Sequence, residues 1–333
     1  MSISPAAQDV SDEASQLYAS SVVVDGCAPS LLQDTREWRR FADAGVTAIF
    51  ATVTTADDMP GTVESLASFH RLARTNAPDL VIAESVADVE AAKRDGRLAM
   101  VLQFQNGRPL GRDRTMVEMY ARMGVRVIQL TYNYRNNIGD GCLEPANSGL
   151  SAFGRDVVRE LNEQRVLVDL SHTGERTTLE AMEVSTRPDV FTHANARAVH
   201  DHPRNLTDEQ ITTAAAKGGL VGLCAFPGFI TDRTTTPTVG DLVAHLDHMV
   251  SLVGIDHVSL GNDFYFDSGY WPNIEAGNWS ADDWPTPPWH YPLDGGNTVE
   301  LVHALLQRGF TSDDVRKLLG TNLLRVMREV WGR

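Results

Sequence analysis

Two histidines and an aspartate follow strand-like segments in the second half of the chain. His172 ends the segment V-D-L-S-H, His193 ends F-T-H, and Asp263 ends G-N-D. Imidazoles that follow neighbouring parallel strands lie at one edge of a sheet, where they can share a cation, and a carboxylate beside them can accept a proton from water. A lone histidine after a strand is more often a hydrogen-bonded structural residue. The three together predict a metal-assisted hydrolytic site.

The elements that position these residues are short apolar runs that alternate with amphipathic segments, a pattern typical of repeated βα units. The runs occupy residues 21–25, 46–53, 80–83, 98–104, 125–131, 166–170, 190–192, 220–226 and 257–261. Helices are predicted at 151–164 and 207–219, the second with Thr207 as its N-cap. Strands this apolar are usually buried on both faces in a parallel sheet. We therefore expect an α/β fold, a single (β/α)8 TIM barrel over residues 1–333.

Barrel enzymes place their chemistry at the carboxyl ends of the strands, where this chain also has Gln105, Tyr132 and Asn133. Directly after the last strand, residues 264–297 form a long segment rich in Trp and Pro. Such a loop is typically a lid over a site, and the alternative is a proline-stiffened packing segment. His290 lies in this segment, as a candidate substrate contact or an ordinary exposed residue.

The composition excludes several classes of function. The 333 residues contain 44 acidic and 29 basic side chains, a formal net charge of −15 at pH 7. Such a charge repels phosphate backbones and anionic lipids, and no basic aromatic patch reverses it, so neither nucleic acid nor membrane is an expected partner. The first residues lack a secretory signal pattern, so we expect a cytoplasmic protein. Cys27, Cys142 and Cys224 have no disulfide or metal spacing and are expected to be free thiols.

Six segments also carry a family resemblance through their order and spacing. They are G-L-S-A-F-G-R-D-V-V-R-E-L-N (149–162), V-D-L-S-H (168–172), H-P-R-N-L-T-D-E-Q (202–210), K-G-G-L-V-G (217–222), V-G-I-D-H-V-S-L-G-N-D-F (253–264) and G-T-N-L-L-R-V (320–326). Together they resemble the membrane (renal) dipeptidase family, peptidase family M19 of the amidohydrolase superfamily. The resemblance implies a metal-dependent barrel with two zinc ions at its mouth, a small-molecule substrate and a homodimer.

Four residues keep the functional positions that the resemblance implies. His172 and His193 stand at the two late histidines that hold one ion, and Asp263 stands at the aspartate of the last strand. Arg204 matches the arginine that binds the substrate carboxylate. A structural alternative for Arg204 is an anchor for the start of the following helix.

The other positions depart from the family pattern. The first-strand His-x-Asp pair falls on Cys27 and Pro29, the bridging glutamate falls on Gln105, and a further histidine falls on Tyr132. A proline side chain cannot bind metal, so we expect one of the two ions to be missing. Cys27 is a candidate soft ligand or nucleophile, and otherwise a packing thiol.

The predicted function is therefore that of a divergent dipeptidase-like amidohydrolase. One divalent ion, expected to be zinc, would be held by His172, His193 and the neutral amide of Gln105. Asp263 would accept the proton of water, while Tyr132 and Asn133 would contact the substrate. The expected reaction is hydrolysis of an amide or related C–N bond in a small carboxylate-bearing compound. The alternatives are a metal-poor or metal-free lyase or isomerase, or a non-catalytic small-molecule-binding relative.

Overall fold

Eight parallel strands close into a barrel in the computed structural model, which describes residues 12–293 and 298–332. With one further strand outside the barrel, the described strands are β1 (Val24–Ala28), β2 (Ala48–Thr54), β3 (Leu80–Ile82), β4 (Leu98–Phe104), β5 (Val125–Gln129), β6 (Leu167–Asp169), β7 (Val190–Ala194), β8 (Leu220–Leu223) and β9 (Val258–Leu260). β2 pairs with β1 and β4, successive pairs run from β4 to β9, and β9 returns to β1. β3 pairs with the first half of β4 and lies outside the ring. The predicted (β/α)8 barrel is confirmed.

Helices follow most strands and cover the outside of the barrel. They are α1 (Asp12–Ser20), α2 (Ser30–Gln33), α3 (Trp38–Asp43), α4 (Met59–Thr75), α5 (Val86–Asp95), α6 (Met116–Arg122), α7 (Ala152–Glu163), α8 (Glu175–Val184), α9 (Asp208–Ala216), α10 (Val239–Val253), α11 (Tyr270–Glu275), α12 (Val299–Gln307), α13 (Ser312–Arg316) and α14 (Asn322–Trp331). In the part of the chain that the structure describes, no helix has the length and apolar character needed to cross a membrane.

The predicted helices begin where their capping residues require. The Ser151 side chain accepts a hydrogen bond from the backbone N–H of Gly154 at the start of α7. Thr207 and Gln210 form a reciprocal capping box at the start of α9, as the N-cap prediction requires. The predicted segment 264–297 contains α11 and an irregular stretch after it, and its residues 294–297 lie outside the described ranges.

The first strand lies three residues later than the apolar run predicts. It spans Val24–Ala28 instead of residues 21–25, so Asp25 lies within the strand and not at its end. The buried Asp25 carboxylate accepts hydrogen bonds from the backbone N–H groups of Cys27 and Asn262. This satisfied carboxylate can sit inside the barrel wall. Cys27 is consequently the residue that β1 brings to the barrel mouth.

Two glycines allow strand β7 to pack closely against its neighbours. A Cβ atom at Gly222 or Gly261 would lie 1.9 Å from the carbonyl oxygen of Thr192, a distance that no side chain could tolerate. Gly222 belongs to β8, and Gly261 directly follows β9. The close approach at Thr192 places the next residue, His193, beside the ends of these strands.

Candidate metal and catalytic site

The mouth of the barrel contains unusual backbone conformations. Asn133, His172 and Asp263 have φ angles of 60°, 58° and 55°, and they are three of the five non-glycine residues with positive φ in the described ranges. The left-handed region costs about 1–3 kcal/mol for a residue with a side chain, and such residues concentrate at functional sites. The strain therefore marks the same strand ends that the sequence predicts to be functional.

His172 and His193 face each other across the mouth. Their Nε2 atoms are 2.9 Å apart, and both side chains are buried. On the far side of its ring, His172 Nδ1 lies 2.6 Å from the Asn133 amide oxygen, which can only accept. His193 Nδ1 lies 2.8 Å from the hydroxyl oxygen of Thr192. That hydroxyl donates to the Asp169 carboxylate over 2.6 Å, so it accepts from His193.

These contacts place a proton on the Nδ1 atom of each ring and leave a lone pair on each Nε2 atom. Burial, together with the charge of Arg204, lowers the pKa of both histidines well below the usual value, so both rings are neutral. Two lone pairs at 2.9 Å repel each other unless a cation lies between them. Two imidazoles bound to one tetrahedral zinc ion would have nitrogens about 3.3 Å apart. The histidine pair therefore fits a shared metal ion.

The buried Asp169 carboxylate anchors the residues that orient His193. It accepts hydrogen bonds from the side chains of Gln103, Ser171 and Thr192, and from the backbone N–H groups of the last two. Burial raises the pKa of Asp169, and these donors act in the opposite direction. Asp169 thus orients His193 through Thr192, as outer partners of metal ligands commonly do. The sequence shows the aspartate in V-D-L-S-H, but only the fold reveals its connection to His193.

Asp263 brings a carboxylate between two thiols. Its Oδ1 lies 3.5 Å from Cys27 Sγ and its Oδ2 lies 3.9 Å from Cys224 Sγ. The ligand atoms of Cys27, His193 and Asp263 all lie within 4.8 Å of one another. Burial raises the pKa of Asp263 to about 6, although the charge of Arg204 opposes the shift. A carboxylate that titrates near neutral pH is suited to accept and return a proton.

Gln105 and Tyr132 contact different members of the site. The Gln105 side-chain nitrogen is 2.7 Å from Cys27 Sγ and 3.1 Å from the Thr52 hydroxyl oxygen. A metal-ligand role for the Gln105 oxygen stays a prediction. The Tyr132 ring stacks on His172 with 4.3 Å between ring centroids, and its hydroxyl oxygen accepts a hydrogen bond from Trp279 over 2.8 Å. Tyr132 thereby links His172 to the Trp-rich segment.

The structure gives Asn133 two partners within the protein. Its amide oxygen is bonded to His172, and its amide nitrogen donates to the backbone carbonyl of Asn278 over 2.8 Å. Asn133 therefore positions His172, and a substrate contact from Asn133 stays a prediction. His290 is exposed to solvent, and a substrate contact from it stays a prediction.

Arg204 is a buried cation, and it has no carboxylate partner within residues 12–293 and 298–332. Its guanidinium carbon lies 5.0 Å from the ring centroid of Phe229, and one terminal nitrogen donates to the backbone carbonyl of His193. The Nε atom has no hydrogen-bond partner among the described residues, where the guanidinium also forms no ion pair. A buried charge in this state is costly, and a carboxylate partner would offset that cost.

Aromatic side chains close the mouth above the histidines. The enclosed space has about 10 Å³ open to the centre of a water molecule, which is room for a single water. Its lining includes the aromatic residues Phe226, Phe229, Tyr265, Trp279 and Trp284. A neighbouring polar cavity of about 350 Å³ shares Tyr132 and is lined in part by Asn106, Arg108, Arg135 and Asn278. Tyr132 and the segment around Trp279 therefore separate the histidines from an accessible cavity.

Comparison with known proteins assigns this chain to a protein family. The model of the membrane dipeptidase family (Peptidase family M19) matches residues 13–274. The chain belongs to the membrane dipeptidase family. Its family membership is as the sequence predicts.

Three relatives illustrate the likeness. An uncharacterized protein in the pqqA 5' region of Klebsiella pneumoniae is 31% identical over 278 residues, which are 80% of this chain and 95% of that protein. Dipeptidase tcpJ of Claviceps purpurea is 29% identical over 274 residues, or 82% of this chain, and the matched part is 60% of its own length. The crystal structure of an amidohydrolase from Pseudomonas aeruginosa superposes with a TM-score of 0.88 at 30% identity, covering 96% of this chain and 99% of that one.

Proposed function

We propose that this membrane dipeptidase family member hydrolyses an amide or related C–N bond in a small carboxylate-bearing compound, with one divalent metal ion, zinc, at the barrel mouth. The observation that supports the proposal most strongly is the histidine pair. The Nε2 atoms of His172 and His193 are 2.9 Å apart, with both Nδ1 protons already donated elsewhere. Such a pair is stable when it binds a cation.

The loss of the family's other ligands supports a single ion. Cys27 and Pro29 occupy the positions of the first-strand histidine and aspartate, and Gln105 occupies that of the bridging glutamate. Pro29 stands at the start of α2 and has no donor atom in its side chain. The side chains that remain for the ion are two imidazoles and the neutral Gln105 oxygen, and Asp263 lies beside them as the proton acceptor. Zinc in catalytic sites typically has three protein ligands and one open position.

Each remaining residue then has a task that follows from its contacts. When bound, the ion supplies positive charge that polarises the scissile carbonyl and acidifies water. Asp263, with its pKa raised to about 6, accepts a proton from the attacking water and returns it to the departing amine. Asn133 and Thr192 hold the two imidazoles in the tautomer that leaves Nε2 free. The closed aromatic mouth excludes bulk water, which strengthens the electrostatic interactions inside.

Arg204 sets the substrate class. Its guanidinium is buried, lacks an ion pair among the described residues, and retains an unused Nε donor. A carboxylate can accept two parallel hydrogen bonds from a guanidinium, which neutralises the buried charge. The polar cavity beyond Tyr132, with Arg108 and Arg135 in its lining, suits the approach of a polar or anionic compound. We therefore propose a substrate with a free carboxylate near the scissile bond.

The test is hydrolysis by the zinc-loaded full chain of matched N-acyl amino acids and their carboxamides. We expect turnover of at least one carboxylate compound, loss of that turnover in a His172→Ala/His193→Ala double variant, and poor use of the matching carboxamide. Unsubstituted dipeptides should be weak substrates because the dinuclear ligand set is incomplete. Vigorous turnover of ordinary dipeptides would contradict the single-ion proposal, and turnover unchanged by the double variant would contradict a metal role for the histidines.

A further inference from the structure

Cys27 has an environment that differs from that of a packing thiol. It is fully buried near the end of β1, yet it lies outside the apolar clusters that the described core residues form. Its nearest polar neighbours are the Asp263 carboxylate, at 3.5 Å, and the Gln105 amide nitrogen, at 2.7 Å. A cysteine selected only for packing would be expected to contact apolar side chains.

Cys224 provides an internal comparison. It is equally buried and lies 3.9 Å from the other oxygen of Asp263. However, Cys224 packs within the aromatic cluster that contains Tyr132, Phe226 and Trp279. The ligand-atom cluster at the mouth includes Cys27 but not Cys224. The two thiols therefore differ in what they face, although both touch the same carboxylate.

The ligand atoms around Cys27 match one coordination sphere. The sulfur, a His193 nitrogen and an Asp263 oxygen lie within 4.8 Å of one another, and His172 Nε2 lies 2.9 Å from His193 Nε2. Zinc binds thiolate at about 2.3 Å and imidazole at about 2.0–2.1 Å. Two ligand atoms of one zinc ion therefore lie no more than about 4.4 Å apart, close to the spacing of this group. β1 delivers Cys27 to this cluster because its pairing register shifts between Asp25 and Ala28.

We propose that Cys27 is a thiolate ligand of the metal ion, which makes the centre a soft site formed by two imidazoles and one thiolate, with Asp263 beside it as the proton acceptor. The inference rests on the proposed metal site at His172 and His193. On binding, the S–H bond breaks, a sulfur–metal bond forms, and the thiol proton is released to solvent. A thiolate favours thiophilic ions such as Zn²⁺ and Co²⁺ over Mg²⁺ and Mn²⁺. The anionic sulfur also supplies a negative charge, which the neutral Gln105 does not provide at the position of the family's glutamate.

The test uses the full chain, stripped of metal and loaded anaerobically with Co²⁺, whose absorption reports its ligands. Wild type and Cys224→Ser should show both visible ligand-field bands and a near-ultraviolet sulfur-to-cobalt charge-transfer band. Cys27→Ser should bind Co²⁺ at least about tenfold more weakly and lose the charge-transfer band, while the ligand-field bands remain at saturation. A charge-transfer band that survives in Cys27→Ser would overturn the proposal.

A second measurement needs no variant and so is independent of folding defects. Zinc K-edge X-ray absorption of the zinc-loaded wild type should show one sulfur neighbour at about 2.3 Å in addition to nitrogen and oxygen. Bound zinc with only nitrogen and oxygen neighbours would overturn the role of Cys27 and leave the histidine site intact. If neither Co²⁺ nor zinc binds wild type, both this inference and the proposed metal site fail.

Discussion

His172 Nε2 lies 2.9 Å from His193 Nε2, and the Nδ1–H group of each ring donates to an oxygen acceptor held in place by the barrel. The acceptors are Asn133 on one side and the Thr192–Asp169 pair on the other. This relationship fixes both tautomers before any ligand arrives. The site is therefore preorganised for a cation, although the family's first-strand ligands are replaced.

Asn133 gives the sharpest test of this preorganisation. Asn133→Ala removes the acceptor for His172 Nδ1–H, so zinc affinity should fall about 10–100-fold. Asn133→Asp keeps an acceptor oxygen, and aspartate tolerates the left-handed backbone at this position. We expect its affinity to stay near that of wild type. Zinc affinity is measured by chelator competition, with urea unfolding of the metal-free proteins as the control for folding. Equal affinity in the alanine variant would show that Asn133 does not orient His172.

Arg204 should govern recognition of the substrate carboxylate. Arg204→Lys keeps a positive charge but loses the planar pair of donors, so kcat/KM for a carboxylate substrate should fall about 100-fold. The carboxamide analogue lacks the anion and should be affected much less. The quantity to measure is the ratio of the two kcat/KM values, which cancels general effects on folding. A ratio that does not change would place the carboxylate elsewhere.

Tyr132 should control how easily the mouth opens. Tyr132→Phe leaves the buried Trp279 indole N–H without its acceptor, which costs about 1–3 kcal/mol. If the segment opens locally, amide hydrogen exchange at residues 276–284 should become at least about tenfold faster. Tyr120→Phe is the matched control, because Tyr120 is buried against Phe104 in another part of the barrel. Unchanged exchange in the Tyr132 variant would mean that other contacts hold the segment closed.

Asp189, at the opposite end of β7 from the site, should make stability depend on pH. Burial raises the pKa of Asp189 to about 7, although the charge of Lys217 opposes the shift. Because an unfolded aspartate has a pKa of about 3.9, the folded state retains a proton between pH 4 and pH 7, and stability is lost as pH rises through this range. Asp189→Asn removes that loss and should stabilise the protein at pH 8 by up to about 4 kcal/mol.

The control for Asp189 is the exposed residue Asp79. Urea unfolding of wild type, Asp189→Asn and Asp79→Asn is measured at pH 4.5 and pH 8. The difference between the Asp189 variant and wild type should grow with pH, while that of the Asp79 variant should stay constant. A difference for Asp189→Asn that shrinks as pH rises would show that the charged form is favoured in the folded state.

The sequence predicted the strands and the histidines because both depend on local pattern. Nine apolar runs correspond to the nine described strands, and the spacing of His172 and His193 places them at neighbouring strand ends. Sequence periodicity did not show that β3 lies outside the ring, since a buried edge strand and a barrel strand are equally apolar. Sequence periodicity also missed the position of β1. Within that strand, Asp25 accepts a hydrogen bond from the backbone N–H of Asn262, a residue 237 positions away in the chain.

The side chains around the site were harder to predict for the same reason. The sequence predicts a substrate contact at Asn133, and only the folded positions of His172 and Asn278 show that its amide bonds to both. Likewise, the sequence leaves Cys27 as a candidate soft ligand, a nucleophile or a packing thiol, and only the folded chain shows that its sulfur lies beside Asp263. Such roles arise from long-range packing, which a single sequence does not display.

The most direct test of the central claim is the metal content per chain, measured by plasma mass spectrometry on protein purified without chelator and then supplied with zinc. Wild type should contain about one ion per chain, because two imidazoles remain and the first-strand His-x-Asp pair does not. The His172→Ala/His193→Ala double variant should contain almost none, while its circular dichroism remains that of a folded barrel. No ion in reconstituted wild type, or equal content in the two proteins, would contradict the histidine metal site, and two ions per chain would contradict a mononuclear centre.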